Sequence, residues 1–88
     1  MAQKYDHEAD WQPISDGLMP DEGLYFITWE GTFEGISEIK GRWIEMAEYY
    51  IPEGEEEGKW SLDHIAIRGF KDINVIAWMD LPEKWEGD

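Results

Sequence analysis

Cysteine is absent from the chain, which excludes disulfides, thiolate metal sites and thiol nucleophiles together. Whatever holds the fold must be packing and backbone hydrogen bonding. Histidine is scarce, limited to His7 and His64, and basic residues number seven against 21 acidic ones, a formal net charge of -14. No apolar run approaches the roughly 18–20 residues of a membrane span. The opening MAQKYDHEAD has no apolar signal region either, so the expectation is a soluble protein of the cytoplasm.

Against these shortages stand the aromatic residues. Six tryptophans, four tyrosines and three phenylalanines make up 15% of 88 residues, and each such side chain can bury about 150–250 Å². A chain of this length removes only roughly 60–65% of its unfolded surface from water, so these rings carry much of the core. The composition is that of one globular domain.

The charge bounds the partners. A surplus of carboxylates repels phosphate backbones and anionic lipid headgroups, which argues against direct contact with nucleic acid or membrane and favours a basic protein. Acidity can also do no more than keep a small aromatic-rich domain soluble. Charge alone does not separate the two.

Asn74–Pro82, NVIAWMDLP, is the most apolar stretch, and its unbroken run is expected to form a strand covered on both faces. Residues 1–10 have no periodicity and are expected to form a flexible arm ahead of a single β-rich domain over 11–85, with 86–88 a disordered tail. In WQPISDGLMPDEG two prolines, Gly17 and Gly23 prevent a regular element, so the segment reads as a lid with Trp11, Ile14 and Leu18 as apolar anchors. Leu24–Trp29 reads as an inner strand and Glu30-Gly31 as the turn after it.

Along Thr32–Ile39 the two isoleucines, Ile36 and Ile39, have opposite parity, which calls for a bulge near Gly35, and Lys40-Gly41 then reads as a turn. Arg42–Ile51 is ambiguous. Trp43, Met46, Ala47 and Tyr50 make a helical stripe, yet the missing N-cap residue and the closely following Pro52 favour a strand; a short helix over 43–50 is the alternative. Pro52–Gly58 is a charged loop, Lys59–Leu62 a short strand with Trp60 and Leu62 on one face, and Trp85 is positioned to fold back from the tail. The fold class expected is mainly β: a single small antiparallel sheet of about four or five strands with little or no helix.

Two sequence motifs bracket this domain. Trp11-x-Pro13-Ile14-Ser15, followed by Gly17-Leu18, Pro20, Gly23 and Tyr25-x-Ile27-Thr28, opens it, and Val75-Ile76-Ala77-Trp78-Met79-x-Leu81-Pro82 closes it. The chain resembles a family of small phage and prophage proteins of unknown function that share a Trp-x-Pro-Ile/Val-Ser opening and an Ala/His-Trp-Met-Pro-Leu-Pro close. Asp80 stands where that family usually has proline. The resemblance implies a small β-rich fold, a phage or prophage origin and hence a bacterial host cell; it names no activity. Physically, the motifs suggest that Trp11 and Pro13 pack against Trp78 and Pro82, joining the two ends of the chain.

No catalytic constellation stands out. Asp63-His64 sets a carboxylate beside an imidazole, but Ser15, Ser37 and Ser61 occupy no nucleophile-elbow context. The acids of Glu53–Glu57 lack the alternating pattern of a calcium loop, and no glycine cluster forms a phosphate cradle. The expectation is a protein that is not an enzyme and uses neither metal nor cofactor.

Two binding readings follow. In one, Glu34, Glu38, Glu45 and Glu48, continued by Glu53, Glu55, Glu56 and Glu57, form a negative strip that occupies the basic groove of a host nuclease or defence protein as a nucleic-acid mimic. In the other, exposed Trp29, Trp43 and Trp60 are a platform for a small molecule or peptide. A minor structural role in a virion satisfies the same sequence.

Overall fold

The computed structural model describes residues 11–82. The arm expected over 1–10, Trp85 and the tail lie outside the described residues. One antiparallel sheet organises the domain: β1 (Gln12–Pro13), β2 (Gly23–Glu34), β3 (Glu38–Tyr50), β4 (Lys59–Trp60) and β5 (Phe70–Asp80), in the spatial order β1-β5-β2-β3-β4. A 3-10 turn (Ile14–Asp16) follows β1, and a one-turn helix, α1 (Asp63–Ala66), precedes β5. The mainly β expectation holds, and residues 43–50 are strand. No helix among the described residues is long and apolar enough to cross a membrane.

The long hairpin departs from the expected turns. β2 runs straight through Glu30-Gly31, and β3 through Lys40-Gly41, with Gly31 paired to Gly41. The reversal lies between Glu34 and Glu38, where Gly35 N–H donates to the Ser37 carbonyl at 3.3 Å and Ile36 is fully exposed. The parity conflict between Ile36 and Ile39 is thus resolved by the chain turning round, not by a bulge within one strand. Glycine is useful at Gly31 for its size, because a Cβ there would come within 3.0 Å of the Trp29 ring and 3.1 Å of the Lys71 carbonyl.

Side chains alternate across a strand, and this alternation divides the sheet into a covered and an open face. Tyr25, Ile27 and Trp29 of β2 share the covered face with their β3 partners Ala47, Glu45 and Trp43. Ile27, Trp29, Ala47 and Ile65 form its buried centre, with Trp43, Trp60, Leu62, Phe70, Ile73, Val75 and Trp78 packed around them. The rings meet mostly edge to face: Trp29 lies 4.9 Å from Phe70 at 88°, and Tyr25 lies 5.3 Å from Trp78 at 71°, the geometry their quadrupoles favour. The indole N–H groups of Trp29 and Trp60 are buried without an acceptor among the described residues, so these side chains are held by packing alone.

β5 is not covered on both faces. Val75 to Met79 are all half-buried, and β1 shields its outer edge only at Ala77 and Trp78. Its pairing with β2 slips between Thr28 and Trp29 and again between Glu30 and Thr32. At the second slip Asp72 adopts φ 55, a bulge conformation that Asp tolerates better than most residues. These slips bring Phe70, Ile73, Val75 and Trp78 onto the same aromatic core, although their sequence spacing is uneven.

The opening and closing segments pair at one edge of the sheet, with Pro13 exposed and set opposite Ala77 instead of Pro82. Gln12 pairs with Trp78 and Pro13 with Ala77, and the Trp78 indole N–H donates to the Leu18 carbonyl at 2.9 Å. Leu18 therefore anchors the 14–22 segment through its backbone; its side chain is 59% exposed, contrary to the apolar-anchor expectation. Replacing Ile65, 0% exposed, by alanine is expected to cost about 2–5 kcal/mol in urea unfolding. The same change at Ile67, 84% exposed on the following turn, should cost less than about 0.5 kcal/mol.

Candidate functional site

The eight glutamates do not line up as one strip. Alternation along β3 sends Glu45 to the covered face with Trp43 and Ala47, and Glu48 to the open face. At the rim of the core Glu45 accepts a 2.6 Å hydrogen bond from Arg68 and lies 3.9 Å from His64 Nε2. The same imidazole nitrogen sits 2.8 Å from the Met46 carbonyl. His64 therefore braces α1 against the edge of β3.

Glu34 and Glu38, paired across the hairpin, are claimed by one cation. Lys71 Nζ lies 3.0 Å from Glu34 and 2.7 Å from Glu38. Its hydrogen bond and charge hold the Glu38 carboxyl below the usual carboxylate range, and the two carboxylates raise the lysine in turn. Arg42 lies 3.5 Å from Glu30 on the same face. This end of the sheet is close to electrically balanced.

The opposite end is not. There the Glu53–Glu57 loop joins β3 to β4, and Asp21, Glu22, Glu48 and Asp80 occupy neighbouring strand ends. The only cation beside them among the described residues is Lys59, 3.9 Å from Glu55. Glu22 accepts the Ile51 N–H at 2.6 Å and pins the start of the loop. Tyr25 reports the local field: burial first, then the charges of Asp80 and Asp21, push its phenol above the ordinary range. Of the expected strip, Glu48, Glu53, Glu55, Glu56 and Glu57 belong to this acidic pole, while Glu34, Glu38 and Glu45 do not. Asp21, Glu22 and Asp80, which complete the pole, are scattered in sequence and are brought there only by strand register.

The tryptophan platform is overturned by burial. Trp29 is 1% exposed, and Trp43 and Trp60 are packed against the buried core. Trp29 and Trp43 stack on each other at 4.9 Å, and Trp60 packs against Tyr49 at 4.8 Å. None of the hollows on the surface around Lys40 and Asn74, around Met19 and Glu56, or around Ile14 and Ile76 is lined by tryptophan. Among the described residues no group of three or more His, Asp or Glu is placed to hold a metal ion.

What sequence reasoning missed is the open face. In β2 and β3, Leu24, Phe26, Thr28, Ile44 and Met46 alternate with the core residues. Phe26 pairs with Met46 on one side and Met79 on the other, and Thr28 with Ile44 and Ala77. Leu24, Ile44 and Met46 are 50%, 62% and 46% exposed. Contiguous apolar surface is a common feature of interaction sites. As a strand, Arg42–Tyr50 places Ile44 and Met46 on the face opposite Trp43 and Ala47.

Because Glu38 binds its proton more weakly in the folded chain than in the unfolded one, its contribution to stability is present above the unfolded pKa. It is lost as pH falls through the folded value. Replacing Lys71 by methionine should raise the Glu38 titration midpoint toward that of a free glutamate, followed by the side-chain carboxyl resonance. A midpoint that stays put would show that Lys71 does not engage it.

No family model, curated protein or solved structure matches the chain.

Proposed function

We propose that the protein is a non-enzymatic, acidic phage or prophage accessory protein that binds a basic protein partner through its acidic pole. The observation that carries this reading is the uneven charge distribution: cations neutralise Glu34, Glu38 and Glu45, whereas Asp21, Glu48, Asp80 and most of the Glu53–Glu57 loop have no cation beside them among the described residues. A carboxylate surface facing water attracts a cationic one over about a Debye length. Such complementarity acts chiefly on the association rate and on partner choice.

The partner class follows from the shape of the charge. A duplex carries about one charge per 1.7 Å along a continuous axis, whereas this pole is compact and one-ended. It suits a cluster of lysines and arginines on one protein surface better than a long nucleic-acid groove. Inhibition of a host nuclease or defence protein is compatible with this reading when the basic cluster is the partner's substrate entrance. The phage or prophage origin rests on the resemblance of the opening and closing motifs.

The test is capture of partners from lysate of a bacterial host, followed by affinity measurement with the captured protein. Changing Glu53, Glu55, Glu56 and Glu57 together to glutamine is expected to weaken binding by about tenfold or more. Raising the salt from about 50 to about 200 mM should weaken it similarly. Glu34→Gln with Glu38→Gln should leave it nearly unchanged. An affinity indifferent to both salt and the four-glutamate change would reject the acidic pole as the binding surface.

A further inference from the structure

We propose that the open face of the sheet is where two copies of this chain pack, sheet against sheet, about a two-fold axis crossing β3 between Ile44 and Met46. The outward residues of β3 read Arg42, Ile44, Met46, Glu48, and this order is self-complementary. With the second copy's strand running antiparallel above the first, Ile44 of each copy meets Met46 of the other. Arg42 of each then meets Glu48 of the other, as an isologous interface requires.

Both charged partners have room to pair. Arg42 contacts Glu30 through Nε at 3.5 Å, and its side chain is 67% exposed. Glu48 is exposed and makes no salt bridge among the described residues. On β2 the same axis passes between Phe26 and Thr28, which are cross-strand neighbours of Met46 and Ile44. Aligned sheets pack at about 30°, so the match is closest along β3.

The contact is small. About an axis between Ile44 and Met46 the strands lie over their copies for roughly ten residues of β3, eight of β2 and four of β5. At a rise of about 3.4 Å and a spacing of about 4.8 Å that is a planar face of roughly 360 Å², about 700 Å² for the two copies together, below the roughly 1,000 Å² of a stable specific interface. The modest size points to a dimer in exchange with monomer. Glu48 belongs to both surfaces, but the Glu53–Glu57 loop follows β3 and lies outside the packed strands, so changing that loop tests the acidic pole and Met46→Glu tests the dimer independently.

Sedimentation equilibrium of the full chain over about a thousand-fold range of concentration tests the proposal. The average mass is expected to rise from monomer toward dimer. Met46→Glu should weaken the dimer by about tenfold or more, with the near-UV circular dichroism unchanged, since Trp29, Trp43, Trp60 and Trp78 pack in the core on the other face. Arg42→Glu and Glu48→Arg should each weaken it, and the two together should recover most of the loss, because each swapped charge again meets its opposite on the second copy. A monomer at every concentration, a dimer indifferent to Met46→Glu, or a double swap no better than the singles would overturn the proposal.

Discussion

A sheet has two faces to keep from water, and this chain has substantial cover for one. The cover consists of α1, the 14–22 segment and the rings that the strands themselves turn inward, all gathered on the side of Ile27, Trp29 and Ala47. With no disulfide to cross-link the chain, burial of this single layer is the main source of stability, at about 25 cal/mol per Å² of apolar surface removed from water. Trp29, Trp43, Trp60 and Trp78 are consumed in that task. Two of them leave their indole N–H groups without acceptors, an arrangement that costs about 1–3 kcal/mol per group and is retained because their apolar area contributes more.

Covering one face decides what the other can be. Backbone hydrogen bonding fixes the strands whether or not both surfaces are covered, so β2 and β3 extend far enough to present outward residues along their full length. Where those residues are charged, Lys71, Arg42 and the glutamates pair among themselves. Where they are apolar, as at Phe26, Ile44, Met46 and Met79, they meet one another across the strands, and Ile44 and Met46 stay exposed among the described residues. The acidic pole forms where loops and strand ends converge, and acids far apart in sequence, such as Asp21, Glu57 and Asp80, come together because the register of the sheet is fixed.

The strands were legible in the sequence where local pattern and tertiary setting agree. The aromatic and β-branched run Leu24–Trp29 and the closing run Asn74–Asp80 are both in strands, and Arg42–Tyr50 is a strand despite its helical stripe. The turns were not legible, because Gly31 and Gly41 look like punctuation. Their role is to give room to the large rings two residues away, Trp29 and Trp43, and nothing in the local sequence distinguishes a glycine that bends a chain from one that makes space. The acidic strip failed for a different reason. Counting glutamates along a strand ignores that Glu45 and Glu48 differ in parity, and no local pattern shows that Lys71 lies across the sheet from Glu34 and Glu38.

The same parity argument explains why the open face escaped notice. A run of apolar residues with no charge, such as Val75–Met79, suggests burial on both sides, but the inference assumes a second layer, and among the described residues the buried core lies on one face alone. Once one layer is built, the outward members of that run must face water or another molecule. Their charged neighbours then limit which molecule fits: Arg42 stands on one side of the Ile44–Met46 pair and Glu48 on the other, so an approaching surface needs an acid at one end and a base at the other. A second copy turned end for end presents that pattern without any further requirement on its sequence. A partner bearing only positive charge matches the pole beyond Tyr50 but leaves Arg42 opposed by a like charge. The two surfaces therefore select different molecules, although a single packed layer creates both.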